Sequence, residues 1–240
     1  MEDRYRNKST IEEIRQRFDK DVERFSDLET GQQATIDAPL SLELVTEAAQ
    51  RVNPDAKNLL DVGCGAGNYT LKMLTKVADL NCTLVDLSEP MVERAKARVG
   101  QITCGSISAY TGDIREITLP EGHYDIILAG AVLHHLRDDC DWESVFMKLF
   151  RSLRPGGSLW VSDLISHDSR EINGLFWDRY GAYLTHLGGV GYKEKVLAYI
   201  EKEDSPRSLT FQLDLMRKVG FRQVEILHKN TCFAAYGGIK

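Results

Sequence analysis

The chain of 240 residues predicts an α/β fold in which a mostly parallel sheet is covered by helices on both faces. Three observations predict it. From residue 55 onward, short apolar runs alternate with helical patterns of about a dozen residues. A glycine-rich turn, Gly63-Cys64-Gly65-Ala66-Gly67, joins the first apolar run to a helical pattern. Asp61, Asp86 and Asp113 fall at the ends of three successive predicted strands, the edge where open parallel sheets bind their ligands.

The elements follow in order. Residues 9–28 place Ile11, Ile14, Phe18, Val22 and Phe25 at spacings of three and four, an amphipathic helix with Ser9 or Thr10 as its cap. A polar linker, ETGQQATIDAPL, leads to a helix over about 40–51 carrying Leu42, Leu44, Val45 and Ala48. NLLDVG reads as a buried strand and residues 67–78 as a helix. NCTLVDLS is a strand, and SEPMVERAKARV is a helix opened by Ser88, Glu89 and Pro90. SISAYTGDI and YDIILAGAV are the third and fourth strands, and residues 141–153 form a helix. RPGG reads as a turn before the strand SLWVSDLI. From about 168 to 205 the alternation lapses into an aromatic insertion read as helical. A helix over 207–219 and two strands, RQVEILHK and TCFAAYGG, close the chain as a hairpin-like edge. Residues 1–54 are thus expected to form a helical lid or cap, and residues 55–240 the main domain.

Composition narrows the function. Thirty basic against 36 acidic side chains give a formal charge of −6, which argues against non-specific nucleic-acid binding. Cys64, Cys82, Cys104, Cys140 and Cys232 are dispersed, without the spacing of a zinc site. No metal is expected; Asp138, Asp139 and Asp141 around Cys140 read as a solvated loop. No run reaches membrane-spanning length and the N-terminus has no apolar leader, so the expected location is the cytoplasm.

The glycine loop is specific in what it lacks. The place of the third glycine in a dinucleotide fingerprint is taken by Asn68, and no phosphate-loop motif is present. Such a loop suits a nucleoside ligand with no phosphate to cradle. Asp86 is placed to accept both ribose hydroxyls, and Asp113 to receive an exocyclic amine.

The segments LLDVGCGAGNYT, VDLSEPMVERAK, GDI, YDIILAGAVLHHL, LRPGGSLWVSDL and MRKVGF, in that order, resemble the successive motifs of the class I S-adenosylmethionine-dependent methyltransferases. The resemblance covers about residues 55–238. It implies a Rossmann-like seven-stranded sheet of order 3-2-1-4-5-7-6 with a reversed final hairpin. It also implies S-adenosylmethionine as methyl donor and S-adenosylhomocysteine as product. Matched motif by motif, Asp61, Gly63, Cys64 and Gly65 would surround the methionine part, Asp86 the ribose and Leu87 the adenine. Asp113 and Ile114 would flank the base, with Ala129 and Gly130 lining the cofactor from the fourth strand. More loosely, the insertion and the C-terminus resemble the carboxy-S-adenosylmethionine synthases and their tRNA wobble-uridine methyltransferase-like relatives. In those synthases an arginine-containing stretch holds the extra carboxylate. Here the matching stretch has only Arg179, which favours the unmodified cofactor.

Methyl transfer requires alignment of a nucleophile behind the methyl carbon and exclusion of water, with a base only where the acceptor arrives protonated. His134 and His135, just after the fourth strand, are the expected catalytic pair; the alternative is that they cap the strand. Trp177, Tyr180, Tyr183, His186 and Tyr192 are expected to line an acceptor pocket, with helix packing the competing role for Phe176 and Tyr180. Phe18 and Phe25 are expected to face inward from the lid, and Tyr5, Arg6 and Lys8 are weaker acceptor contacts. The expected function is methyl transfer to a small molecule or one exposed nucleoside, not to an extended nucleic-acid surface. A cofactor-remodelling enzyme and a non-catalytic cofactor-binding protein are the alternatives.

Overall fold

The computed structural model describes residues 7–27 and 31–240. Tyr5 and Arg6 lie outside the described residues. A helix α1 (Ile11–Lys20) is closed at its start by a capping box: the Thr10 hydroxyl accepts from the Glu13 amide and the Glu13 carboxylate accepts from the Thr10 amide. At Asp21 the expected single helix breaks, and a five-residue α2 (Val22–Ser26) follows. Helix α3 (Ala38–Val52) begins two residues earlier than its periodicity indicates, with Pro39 in its first turn.

Then come β1 (Asn58–Val62), α4 (Asn68–Leu74), β2 (Asn81–Asp86), α5 (Glu89–Val99) and β3 (Ile107–Thr111). These are followed by β4 (Tyr124–Gly130), a single 3-10 turn at Leu133–His135, α6 (Asp139–Ser152) and β5 (Leu153–Leu164). A long α7 (Arg170–Glu203), α8 (Leu209–Val219), β6 (Gln223–Asn230) and β7 (Phe233–Ile239) complete the chain. The seven strands form one sheet of order β3-β2-β1-β4-β5-β7-β6, as the resemblance implies. Strands β1 to β5 pair in parallel, and β7 runs antiparallel between β5 and β6.

Register sets the edge that matters. Val62 pairs with both Val85 and Ala129, and Asp86 pairs with Thr111. The C-terminal ends of β1, β2, β3 and β4 are therefore flush. Each face of the sheet has its own core. Trp142, Phe146 and Leu149 of α6 with Leu213 and Met216 of α8 cover one. Leu42, Val45 and Ala49 of α3, Met73 of α4, and Ala95 and Val99 of α5 cover the other.

Two further expectations change. RPGG is not a turn before a strand: it lies within β5, where pairing jumps from Tyr124↔Leu153 to Ile126↔Ser158 and Gly156 takes a φ of 79°. The extra residues are absorbed as a bulge, which glycine tolerates. The aromatic insertion is one α7 interrupted at Gly188 and Gly189, the latter at φ 79° and ψ −179°. The chain doubles back there, since a Cβ on Gly181 would sit 3.0 Å from Lys193 Cε. The two arms, 170–187 and 190–203, pack Tyr180, Leu184 and Ile200 into a third apolar cluster with Leu164 and Phe233.

Candidate active site

A cavity of about 250 Å³ opens over the flush strand ends. One wall is the loop after β1. Gly63, Gly65 and Gly67 have φ of 66°, 49° and 88°, values costly for residues with a Cβ. They serve different ends. A Cβ on Gly63 would lie 2.5 Å from the Val132 side chain, and one on Gly67 would lie 3.2 Å from Ala95 Cβ. These two permit close packing. A Cβ on Gly65 would meet nothing within 4 Å, so its backbone borders open space on the cavity side.

Asp86 fixes that loop. Its carboxylate accepts from the Gly65 amide at 2.8 Å and the Ser88 amide at 2.9 Å. Burial raises its pKa, with the backbone donors opposing. Asp86 and Leu87 both line the cavity, and lone pairs remain on the carboxylate for a further donor.

Asp61 sits deeper. It is 1% exposed and does not line the cavity; its Oδ2 accepts from the Thr70 hydroxyl at 2.7 Å and the Thr70 amide at 3.2 Å. Burial pushes its carboxyl up to about 7. Asp113 lines the cavity, but Arg115 grips it through Nε at 3.0 and 3.1 Å and the Arg115 amide at 2.9 Å. Burial would raise its pKa, yet the hydrogen bonds to Arg115 lower it overall. Most of the acceptor capacity assigned to an exocyclic amine is already used. Ile114, Cys64 and Gly130 line the cavity, whereas Ala129 is wholly buried behind it.

The far end holds the histidine pair. The His134 ring, 4.3 Å from that of His135, is bonded through Nδ1 to Asp163 on β5. Asp163 also accepts from the Leu133 amide at 2.8 Å and the His134 amide at 3.2 Å, which locks the 3-10 turn. Burial works against a charged His134, but Asp163 and Asp204 outweigh it and raise the ring to about 9. Burial, with His134, Arg17 and Arg137, drives His135 well below its ordinary value. Asp204 follows α7 and is 4% exposed. It is brought here because the Ser205 amide donates to the His134 carbonyl at 2.7 Å. Burial raises it to about 6.

The roof is largely apolar. Ile11, Ile14, Phe18 and Phe25 descend from α1 and α2, and Tyr180, Val196, Tyr199 and Ile200 from α7. Of the aromatic set expected to line an acceptor pocket, only Tyr180 lines the cavity, with its hydroxyl donating to the Ala34 carbonyl at 3.0 Å. Trp177, Tyr183 and Tyr192 pack around Tyr180 outside it, and His186 is exposed. Helix periodicity placed these side chains on the packing face of the hairpin. Lys8 turns to the Glu201 and Asp204 carbonyls. Asp138 caps α6 through the Asp141 amide at 2.9 Å.

Two site residues were not singled out in the sequence. Asp163 had a signal, an ionisable residue inside the apolar run LWVSDLI. Asp204, in an unremarkable EKEDS segment, had none.

A family described as methyltransferase domain matches residues 59–157. A demethylmenaquinone methyltransferase of Lactococcus lactis subsp. lactis (strain IL1403) is 30% identical over 173 residues, spanning 70% of this chain and 67% of that enzyme. The chain belongs to the class I S-adenosylmethionine-dependent methyltransferase family. A carboxy-S-adenosylmethionine synthase of Vibrio atlanticus (strain LGP32) is 28% identical over 199 residues, 80% of either chain. Among solved structures, human N-acetylserotonin methyltransferase in complex with S-adenosylmethionine superposes with a TM-score of 0.60 at 19% identity. That match covers 96% of this methyltransferase-family chain and 57% of the human enzyme, and it carries the fold alone. No helix among the described residues is long and apolar enough to cross a membrane.

Proposed function

We propose that the protein transfers the methyl group of S-adenosylmethionine to a small, largely apolar acceptor that carries one polar reacting atom. One observation carries this reading. A single cavity joins the Gly65 loop and Asp86 to His134 and His135, under an apolar roof from α1 and α7. The residues fit the cofactor: Gly65 leaves the space a Cβ would fill, and Asp86 keeps acceptor capacity beside it. In this reading the Gly63–Gly65 backbone holds the methionine part, Asp86 and Leu87 hold the ribose and adenine, and Ile114 flanks the base. The bound sulfonium supplies the methyl. An acceptor lone pair forms the new bond as the carbon–sulfur bond breaks, leaving S-adenosylhomocysteine.

His135 is the group placed to take or orient an acceptor proton. It is held neutral and both its ring nitrogens lack a hydrogen-bond partner. His134 is a positioning residue, tied to Asp163. The roof excludes water from the reacting centre. Calorimetric binding of S-adenosylmethionine, followed by conversion to S-adenosylhomocysteine with candidate acceptors, tests the assignment. A folded protein that binds no S-adenosylmethionine would end it.

The likeness to carboxy-S-adenosylmethionine synthases supports a second reading, a cofactor-modifying enzyme. Arg179, the arginine of the matching stretch, does not line the cavity, which favours methyl transfer. Mass spectrometry of the copurified nucleoside separates the two, since the extra carboxyl group changes its mass.

A further inference from the structure

The acceptor end of the cavity contains three side chains whose arrangement hydrogen bonding does not explain. His134, His135 and Asp204 each offer a ligand atom, all within 4.8 Å of one another. His134 Nε2 lies 3.7 Å and His135 Nδ1 lies 3.3 Å from Asp204 Oδ1. Yet His135 Nδ1, His135 Nε2 and Asp204 Oδ1 are buried with no hydrogen-bond partner. The 3.3 Å approach is off the line that a hydrogen bond requires. The Glu203 backbone also faces the His135 ring, while Asp204 Oδ1 is left without a donor. Buried polar atoms are paired as a rule, and those left over call for an explanation.

We propose that His134 Nε2, His135 and Asp204 bind one divalent first-row transition-metal ion, of which zinc is the representative. Ligands about 2.0–2.2 Å from a tetrahedral ion stand roughly 3.3–3.6 Å apart. The 3.3 and 3.7 Å separations nearly match, and closure is needed only between ligand atoms that stand farther apart, all within 4.8 Å. The surroundings match what metal sites require. Asp163 holds His134 through Nδ1, so that Nε2 faces Asp204 and becomes a ligand once an ion displaces its proton. Two imidazoles and one carboxylate form a donor set for zinc, cobalt or ferrous iron, not for magnesium, which demands mainly oxygen. All three side chains line the cavity, so the remaining position opens toward the acceptor. The neighbouring cations are engaged elsewhere: Arg17 donates to Glu203 at 2.8–3.0 Å, and Arg137 donates to the Ser9 carbonyl at 3.0 Å. The inference rests on the methyltransferase reading for its purpose, in which the ion would hold an oxygen or nitrogen of the acceptor and the imidazoles would act as ligands. It does not rest on that reading for its existence, and with the ion bound His135 would serve as a ligand in place of handling the acceptor proton.

The test uses the full chain, stripped with chelator, loaded with Zn²⁺ or Co²⁺ and freed of excess by gel filtration. One retained equivalent by elemental analysis is expected. The Co²⁺ form should show visible ligand-field bands without the near-ultraviolet charge transfer of a thiolate ligand. His135→Ala and the near-isosteric Asp204→Asn should lose the ion, with folding verified by circular dichroism. Asp163→Asn should weaken affinity by about 10–100-fold. Substoichiometric retention by the wild-type chain, a thiolate band, or full retention by either folded variant overturns the proposal. S-adenosylmethionine binding, measured separately on the metal-free chain, decides the methyltransferase reading independently.

Discussion

Gly65 shows how much one missing Cβ can matter. Its backbone angle is left-handed and its Cβ position opens on empty space, so a side chain there would enter the cavity where the proposed cofactor would lie. Gly65→Val is therefore expected to abolish S-adenosylmethionine binding in calorimetric titration. The φ strain should lower stability by about 1–3 kcal/mol. A folded variant with unchanged affinity would remove the loop from the site. Asp86→Ala is expected to weaken binding by about tenfold to over a hundredfold, the loss of charge-assisted bonds of roughly 1.5–3 kcal/mol. Some of that loss will come through Gly65, whose amide Asp86 anchors. Asp61 should be visible in the pH dependence of stability. Its folded pKa is raised from 3.8 to about 7, so the folded chain keeps a proton that the unfolded chain releases above about 4. That contribution is present at low pH and is lost as pH rises through 7. Denaturant titrations of the ligand-free protein should show wild-type stability falling relative to Asp61→Asn between pH 4 and pH 7, by on the order of a few kcal/mol. Parallel curves would mean that Asp61 has no such shift.

At the scale of the element, α1 is the piece that encloses the site. It is fastened at several points: the Ser88 hydroxyl donates to Asp19 at 2.7 Å, Arg17 pairs with Glu203, and α2 follows with Arg94 on Glu23. Between these fastenings Phe18 meets the His135 ring edge-on at 5.8 Å. Phe18→Ala should therefore raise the acceptor KM more than it weakens cofactor affinity, since its ring packs on His135 and Phe25. Equal effects on both would place Phe18 on the cofactor. The amphipathic spacing of Ile11, Ile14 and Phe18 was enough to find this helix, with Ile14 buried and Phe18 half-buried, although Ile11 stays exposed at the cavity edge. Its break at Asp21 was not legible, because no glycine or proline marks it. The strands and their acidic ends were equally legible, since buried parallel strands must be apolar and a polar residue at their end stands out. The hairpin in α7 was not. The glycine pair was visible, but periodicity alone cannot tell a helix face that packs on its own other arm from one that lines a pocket. Asp204 joined the site only through chain reversal at Gly188–Gly189, a long-range consequence that no local pattern encodes.

For the molecule as a whole, charge and shape point to small acceptors. The balance of −6 and an apolar roof provide little attraction for a phosphate backbone. Binding of bulk tRNA in a filter assay should be weak and should decline steeply with salt. Tight, salt-resistant retention of unrelated RNAs would contradict this.

The bond from Ser88 to Asp19 carries one more implication. Ser88 stands two residues after Asp86 and caps α5, so the segment proposed to receive the nucleoside is also the segment to which α1 is hooked. Filling the nucleoside end should steady that hook, and the steadied roof then completes the acceptor end. Under the proposed function, traffic through the site would acquire a direction: donor first, acceptor second, and the spent nucleoside last to leave. Initial-velocity kinetics would register this as S-adenosylhomocysteine inhibiting competitively against the donor and non-competitively against the acceptor. Competitive inhibition against both would mean that either substrate enters first.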